Sequence, residues 1–305
     1  MSFTVDVVIP TYNIPERFTD LLKMLHLQSH PVSKIIIMNT VSDLNSDPEF
    51  QDYPDVSVYP VKITEFDHGK TRNEGLKKSD ADYVLFLTQD VEIPDAFLVE
   101  NLLEGFLEDP DAVVVYGRQL ARENAKETEK YSRAFNYPGT SRTKRKEDLP
   151  ELGIKTFFCS DVCAMYDRKA FLELGGFINK TIFNEDMIFA HKVITSGKAV
   201  VYRADARVIH SHDYSGMQQL HRNFDLGVSQ ADHPEVFSGI SSSKEGKSLV
   251  KNTALHLLKM KKPLQIISLV YISGMKYLGF LLGKNYKKLP DGLVRKLSMN
   301  QNYWR

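Results

Sequence analysis

Over the first hundred residues the apolar positions change period repeatedly. Val5-Asp6-Val7-Val8-Ile9 is a short apolar run closed by Pro10, the form of a buried strand. Between residues 15 and 28, Phe18, Leu21, Leu22 and Leu25 recur at helical spacing, and Pro15 suits an opening turn. Residues 34–38 and 56–63 predict a second and a third strand, and 69–78 a helix. Tyr83-Val84-Leu85-Phe86-Leu87 predicts a fourth strand, 94–107 a helix and 112–116 a fifth strand. Strands alternating with helices predict an α/β fold, a mostly parallel sheet flanked by helices.

Residues 118–150 break the rhythm. They are polar and charge-rich, with Pro138-Gly139 and the run Arg142-Thr143-Lys144-Arg145-Lys146, and read as a surface insertion or flap. Regular structure resumes at 155–166, followed by a helix at 168–174 closed by Gly175-Gly176. A helix at 185–195 stopped by Gly197, two strands within 199–210, and a polar linker at 229–247 complete the pattern. Residues 263–283 form the most hydrophobic window, interrupted by Gln265 and Lys276. A spanning helix, a packed core or dimer-interface helix, and an interfacial helix all fit it.

The 305 residues, 42% hydrophobic and 26% charged, suit a globular chain and exclude disorder, collagen and a multi-span membrane protein. The opening residues lead straight into a strand pattern, and no secretory signal is expected. Cys159 and Cys163 fall in a strand-like stretch, where four residues of extension separate them by roughly 13 Å, so reduced, buried thiols are expected. The net charge of zero hides a split. From Lys244 to Arg305 there are 13 Lys or Arg against Glu245 and Asp291. An acidic body with a basic tail points to an anionic surface, and the tail lacks a nucleic-acid motif. Lys259, Lys261, Lys262, Lys284, Lys287 and Lys288 flank the apolar window and favour anionic lipid.

In an open parallel sheet, ligands sit beyond the carboxyl ends of the strands. Those ends here read Pro10-Thr11-Tyr12-Asn13, Asn39 to Asp43, Glu65 to Asn73, and Thr88-Gln89-Asp90-Val91-Glu92. Each is polar where the strand before it is not, which is the layout of a nucleotide site.

These residues also resemble glycosyltransferase family 2: an opening IPTYN, a strand ending in FLTQD, GGF at 175–177 and NED at 184–186. EFDHGKTRNEG, TQDVEIP and HSHDYSGMQQLHRNFDLG look most like bacterial rhamnosyltransferases that use dTDP-L-rhamnose. The resemblance covers about residues 5–230 and implies a GT-A fold with inversion at the anomeric centre. It implies a GT-A domain over 1–230, with 118–150 inserted, before a basic helical region over 231–305. It also implies a lipid-linked cell-surface glycan as acceptor. The enzyme is then cytoplasmic and peripheral on the inner face of the plasma membrane, held by its tail, with a homodimer as a further option for the apolar window. A UDP-sugar donor (glucose, GlcNAc or galactofuranose), a nucleotidyltransferase and a non-catalytic sugar-binding scaffold are the alternatives.

Breaking a sugar–diphosphate bond requires stabilised negative charge on phosphate, which Mn2+ or Mg2+ supplies through hard oxygen ligands. The family's Asp-x-Asp motif falls on Thr88-Gln89-Asp90, where only the second carboxylate is present. Glu92 either compensates or is a surface acid. His210 and His212 point the same way in an extended chain, and the resemblance at HDYS favours His212 as a ligand beside Asp90. Lys70 and Arg72 are expected at the diphosphate, with or without a metal. Pro10, Thr11, Asn13, Asn39, Asp67 and Gln89 are expected around the rest of the nucleotide sugar, Asp67 accepting a base imide N–H. By resemblance Asp186 is the general base and Glu185 orients the acceptor, at a helix start that Asn184 suits as N-cap. Phe177 is either acceptor floor or a buried ring.

Overall fold

The computed structural model describes residues 3–41, 50, 52–238 and 243–304, with backbone alone at 243–245. Ser42, Asp43 and residues 239–242 of the expected linker lie outside the described residues. In chain order the elements begin β1 Val5–Tyr12, α1 Phe18–His26, β2 Lys34–Val41, β3 Val56–Lys62, α2 His68–Leu76, β4 Tyr83–Leu87 and α3 Leu98–Glu108. They continue β5 Ala112–Leu120, α4 Glu127–Asn136, β6 Arg142–Lys144, α5 Leu149–Leu152, β7 Cys163–Asp167, α6 Arg168–Glu173, α7 Glu185–Thr195 and β8 Ala199–Ile209. The last are α8 Gly216–Asp232, α9 Pro234–Phe237, α10 Ser243–Lys259, α11 Leu264–Lys284 and α12 Asp291–Leu297.

Two compact units divide the chain. The first comprises 1–120, 137–180 and 185–210 and carries an eight-stranded sheet in the order β3-β2-β1-β4-β7-β5-β8-β6. Val7 and Ile9 of β1, Ile35 and Ile37 of β2 and Leu85 and Leu87 of β4 are buried, with Phe18, Leu21, Leu22 and Leu25 of α1 packed in the same cluster. Burial on both sheet faces explains why these strands read as unbroken apolar runs. The sheet is mixed. β7 lies antiparallel between β4 and β5, and β6 pairs antiparallel with β8. Nothing in the apolar run of β7 encodes direction. Its place between two parallel neighbours is a tertiary outcome.

Three expectations change. Residues 199–209 form one strand, not two, because register shifts in its pairing with β5 absorb the irregularity around Gly117 and Arg118. Most of the expected linker is helical: residues 229–232 close α8, 234–237 form α9, and 243–247 open α10. Cys159 precedes β7 rather than lying in a strand, although both thiols are free and buried as expected. Phe177 joins Phe86, Tyr166, Phe171 and Phe189 in a ring cluster, so it is a core residue.

The second unit comprises 121–136, 181–184 and 211–305. Residues 118–150, read as one insertion, are thus shared between the two units. Within the second unit α8 and α11 run parallel at backbone contact. A Cβ on Gly279 would stand 2.2 Å from the Leu220 carbonyl oxygen, and one on Gly283 2.1 Å from that of Phe224. Only glycine permits so close an approach.

Candidate active site

Antiparallel pairing places the start of β7 beside the end of β4, with Cys163 opposite Leu87. The loop before β7 therefore lies at the same sheet edge as the carboxyl ends of the parallel strands. Two acidic stations meet that loop.

The first follows β4. Asp90 Oδ2 lies 3.3 Å from Nε2 of His210, just past the end of β8. Nδ1 of His210 lies 3.1 Å from Gln119 Oε1 on β5, and the amide nitrogen of Gln119 donates to Ser160 Oγ at 2.8 Å. With the amide so oriented, Nδ1 is the ring nitrogen held by Gln119 and Nε2 is the one that faces the Asp90 carboxylate. A carboxylate oxygen beside an imidazole nitrogen, with the ring held by an amide carbonyl, is a pair of groups that could hold a divalent cation. Asp90 and His210 both belong to the one metal-capable group of His, Cys and acidic side chains among the described residues. Glu92 is turned to Arg17, its Oε1 3.0 Å from Nη1. His212 belongs to the second unit, where its main-chain N–H donates to Glu129 at 3.2 Å and its ring stacks on Tyr214.

The second station heads α7. Asp186 accepts from the main-chain N–H of Met187 at 2.7 Å and from that of Asp161 at 3.4 Å. Arg72 lies 2.9 Å from Glu185 and 3.4 Å from Asp161, and Tyr166 donates to Asp161 at 2.5 Å. Two of the three carboxylates, Asp161 and Glu185, thus pair with one buried guanidinium. Burial, then the charges of Glu185 and Asp161, push Asp186 well above the usual carboxylate range. Burial pushes Asp161 up to about 7, against the lowering pull of Arg72. Asn184 stands at φ 66° with its amide donating to Ser229 in the second unit, so it is a left-handed turn residue rather than the extended N-cap expected.

The remaining residues expected at the nucleotide sugar are placed as follows. Thr11 donates to Asn39 at 3.1 Å across the β1–β2 pairing, and Asn13 closes β1 at φ 49°. Pro10 lies beyond the part of β1 that pairs with β4, where its missing N–H costs no bond on that side. Asp67 caps α2, accepting from Gly69 at 2.9 Å and Lys70 at 3.1 Å. Lys70 is exposed in the first turn of α2. Gln89 clamps Tyr12, donating to its carbonyl and accepting from its N–H, each at 2.9 Å. Arg72, also expected at the diphosphate, lies beside the carboxylates of Asp161 and Glu185, which supply the fixed countercharge a buried guanidinium needs.

Residues 6–175 match the description of Glycosyl transferase family 2. The chain is also 37% identical over 304 residues to the O-antigen chain rhamnosyltransferase RfbN of Salmonella typhimurium, covering 98% of this chain and 96% of that protein. The chain belongs to glycosyl transferase family 2. A second relative, the O-antigen chain rhamnosyltransferase WbaN of Salmonella anatum, is 35% identical over 308 residues, covering 99% of this chain and 96% of that protein. Among solved structures, the mannosyltransferase PcManGT of Pyrobaculum calidifontis, in complex with GDP-Man and Mn2+, is similar with a TM-score of 0.58. It is 16% identical and covers 100% of this chain and 85% of that one. TarS 1–349 of S. aureus with UDP-GlcNAc has a TM-score of 0.54 at 15% identity, covering 93% and 92%. The family 2 chain is an enzyme of sugar transfer with a GT-A-like, Rossmann-type sheet and a helical C-terminal extension.

The motifs did not single out Asp161, Gln119 or Tyr166. Asp161 sits in the apolar run that predicts β7, and Gln119 lies in the tail of β5 beyond its predicted end. Neither position carries a signal until the sheet brings it to the site.

Proposed function

We propose that the family 2 enzyme transfers L-rhamnose from dTDP-β-L-rhamnose to a lipid-linked cell-surface glycan, inverting the anomeric centre. The observation that carries the transfer chemistry is the pair of stations on consecutive residues. Ser160 reaches Asp90 and His210 through Gln119, and Asp161 touches Asp186. One station suits the departing diphosphate and the other the attacking hydroxyl. Likeness over nearly the whole chain to two rhamnosyltransferases supports the sugar.

Asp90, with His210 and His212, would hold Mn2+ or Mg2+, which when bound supplies positive charge for the diphosphate. His212 is the third ligand in this reading, two residues along the chain from His210. Asp186 takes the acceptor hydroxyl proton, and its raised basicity suits that task. Glu185 orients the acceptor, while Pro10, Thr11, Asn13, Asn39, Asp67, Lys70 and Gln89 frame the nucleotide sugar. Arg72 acts from within the carboxylate cluster rather than on the phosphates.

The acceptor sits at a membrane in this reading, and the C-terminal region brings the enzyme to the cytoplasmic face of an anionic bilayer. α11 is long and apolar enough to cross a membrane. Its backbone contact with α8, and the basic residues beside it, favour a helix lying in the interface.

Purified enzyme incubated with Mn2+ and each nucleotide sugar tests the donor. Release of dTDP from dTDP-L-rhamnose, abolished by excess EDTA, is the expected result. Turnover of UDP-glucose, UDP-GlcNAc or UDP-galactofuranose in its place would reassign the sugar.

A further inference from the structure

Asp161 contacts both carboxylates at the head of α7, one directly and one through an arginine. Its main-chain N–H donates to Asp186 Oδ2 at 3.4 Å. Its side chain accepts from the Tyr166 hydroxyl at 2.5 Å and lies 3.4 Å from Arg72 Nε. The Nη1 atom of the same guanidinium stands 2.9 Å from Glu185 Oε1. Arg72 is 4% exposed and Asp161 2%, so little water screens these charges.

The single arginine is the deciding group. It forms ion pairs with Asp161 and Glu185, while Asp186 receives two main-chain N–H groups. An arginine paired directly with Asp186 would hold its charge and make it a poorer proton acceptor. The groups facing Asp161 are Arg72 from α2, Glu185 and Asp186 from α7, Tyr166 from β7 and Cys159 from its own loop. Arg72 is the cation among them.

We propose that Asp161 is a positioning residue for the transfer: it draws the Arg72 guanidinium away from Asp186 and aims Asp186 with its own main-chain N–H. Asp186 is thereby left as an unneutralised carboxylate. In the step it serves, the acceptor oxygen bonds to the anomeric carbon as the bond to the diphosphate breaks. The diphosphate leaves with the electron pair, and the hydroxyl proton passes to Asp186. The proposal rests on Asp186 being the base.

Asp161→Asn keeps the shape and the main-chain donor and removes the charge. Its kcat–pH profile should show an acid limb displaced downward by about one unit. Plateau kcat should fall about tenfold as the base weakens, with donor KM within about twofold of the native value. Tyr166→Phe removes only the hydroxyl that stabilises the Asp161 carboxylate. It should displace the limb in the same direction and by less, and it decides the matter if Asp161→Asn does not fold. An unmoved acid limb in either folded variant, or a loss confined to donor KM, would overturn the proposal. Asp186→Asn is measured in parallel. Retained turnover there removes the base assignment itself, whereas an inactive Asp186→Asn beside an unmoved Asp161→Asn profile removes only the role of Asp161.

Discussion

Gln119 holds the His210 ring by Nδ1 at 3.1 Å, leaving Nε2 turned to Asp90. Gln119 is itself fixed by Ser160, so three elements set the direction of one ring nitrogen: β5, the loop before β7 and the end of β8. Partners of this kind orient a metal ligand and raise its basicity. Gln119→Leu should therefore weaken Mn2+ binding about 10- to 100-fold, and His210→Ala at least as much. Titration of Mn2+ followed by electron paramagnetic resonance, in the absence of donor, reads this directly. Unchanged affinity in His210→Ala would remove His210 from the ligand set.

Asp186→Asn keeps the size of the side chain and removes the proton acceptor. Transfer should fall about 10²- to 10⁴-fold, the usual span for a general base. Donor affinity, measured by thermal shift with dTDP-rhamnose, should change little because Asp90 and His210 are untouched. Since burial and two neighbouring carboxylates hold Asp186 well above its ordinary range, the acid limb of the native pH–rate profile should lie above the ordinary carboxylate range, with activity rising as pH rises through it. An acid limb at ordinary carboxylate values would exclude Asp186 as the titrating base.

The same cluster makes stability depend on pH. Asp161 is pushed up to about 7, so the folded state binds its proton more tightly than the unfolded chain does. Its contribution is fully present below the unfolded carboxylate range, about pH 4, and is lost as pH rises through 7. Asp225 in the second unit, pushed up to about 6 by burial, acts with the same sign. Tm should therefore decline from pH 5 to 7.5. Asp161→Asn should lessen the decline and leave the contributions of Asp186 and Asp225, which have the same sign. A Tm that climbs over this interval would contradict the arrangement of charges.

The first half of the sheet was legible because β1, β2 and β4 are short apolar runs ended by turn residues, and a strand buried on both faces has no other pattern. α7 was legible to the residue, since Glu185-Asp186 opens it and Gly197 follows its end. The direction of β7 was not, because an apolar run carries no arrow. α8 escaped the hydrophobic pattern for a different reason: its buried Leu220, Phe224 and Val228 stand among polar residues and glycines, so the stripe is only one side chain wide. At the site, Asp90 and Asp186 were visible as acids after a strand and at a helix start. Their partners were not. Gln119, Ser160 and Asp161 gain their roles from the antiparallel insertion of β7, a tertiary event that no local signal announces. The pairing of Arg72 was not legible, because its position on α2 tells nothing of the acids that meet it from α7 and the loop before β7.

The glycines of the second unit carry a stability prediction. Gly279 and Gly283 are one helical turn apart on α11, and each rests on a carbonyl of α8. A side chain at either position must separate two backbones, not merely displace a flexible neighbour. Gly279→Val should destabilise the second unit by about 1–3 kcal/mol or more, whereas Gly274→Ala, with open space around it, should be neutral or stabilising. Denaturant titration of the three proteins compares them. Equal midpoints would mean that α8 and α11 do not meet at backbone contact.

α11 presents the opposite character on its other side. Leu264, Ile267, Leu278 and Leu281 recur at intervals of three, eleven and three, so they share a stripe, and Leu264 and Ile267 are 80% and 71% exposed. Lys259, Lys261 and Lys262 precede the helix, and Lys284, Lys287 and Lys288 follow or end it. An apolar stripe between basic clusters gains on entering an anionic interface twice, from buried area and from charge. With its other side locked to α8 by glycine, α11 would meet a bilayer lengthwise in the proposed reading. Ile267→Gln together with Leu281→Gln should therefore reduce co-sedimentation with phosphatidylserine vesicles. It should leave turnover of a soluble acceptor analogue unchanged, because neither residue belongs to the first unit. Raising salt should weaken binding of the native protein as the lysines are screened. Native protein that stays in the supernatant at low salt, or a double variant that sediments equally well, would show that this face serves something other than lipid.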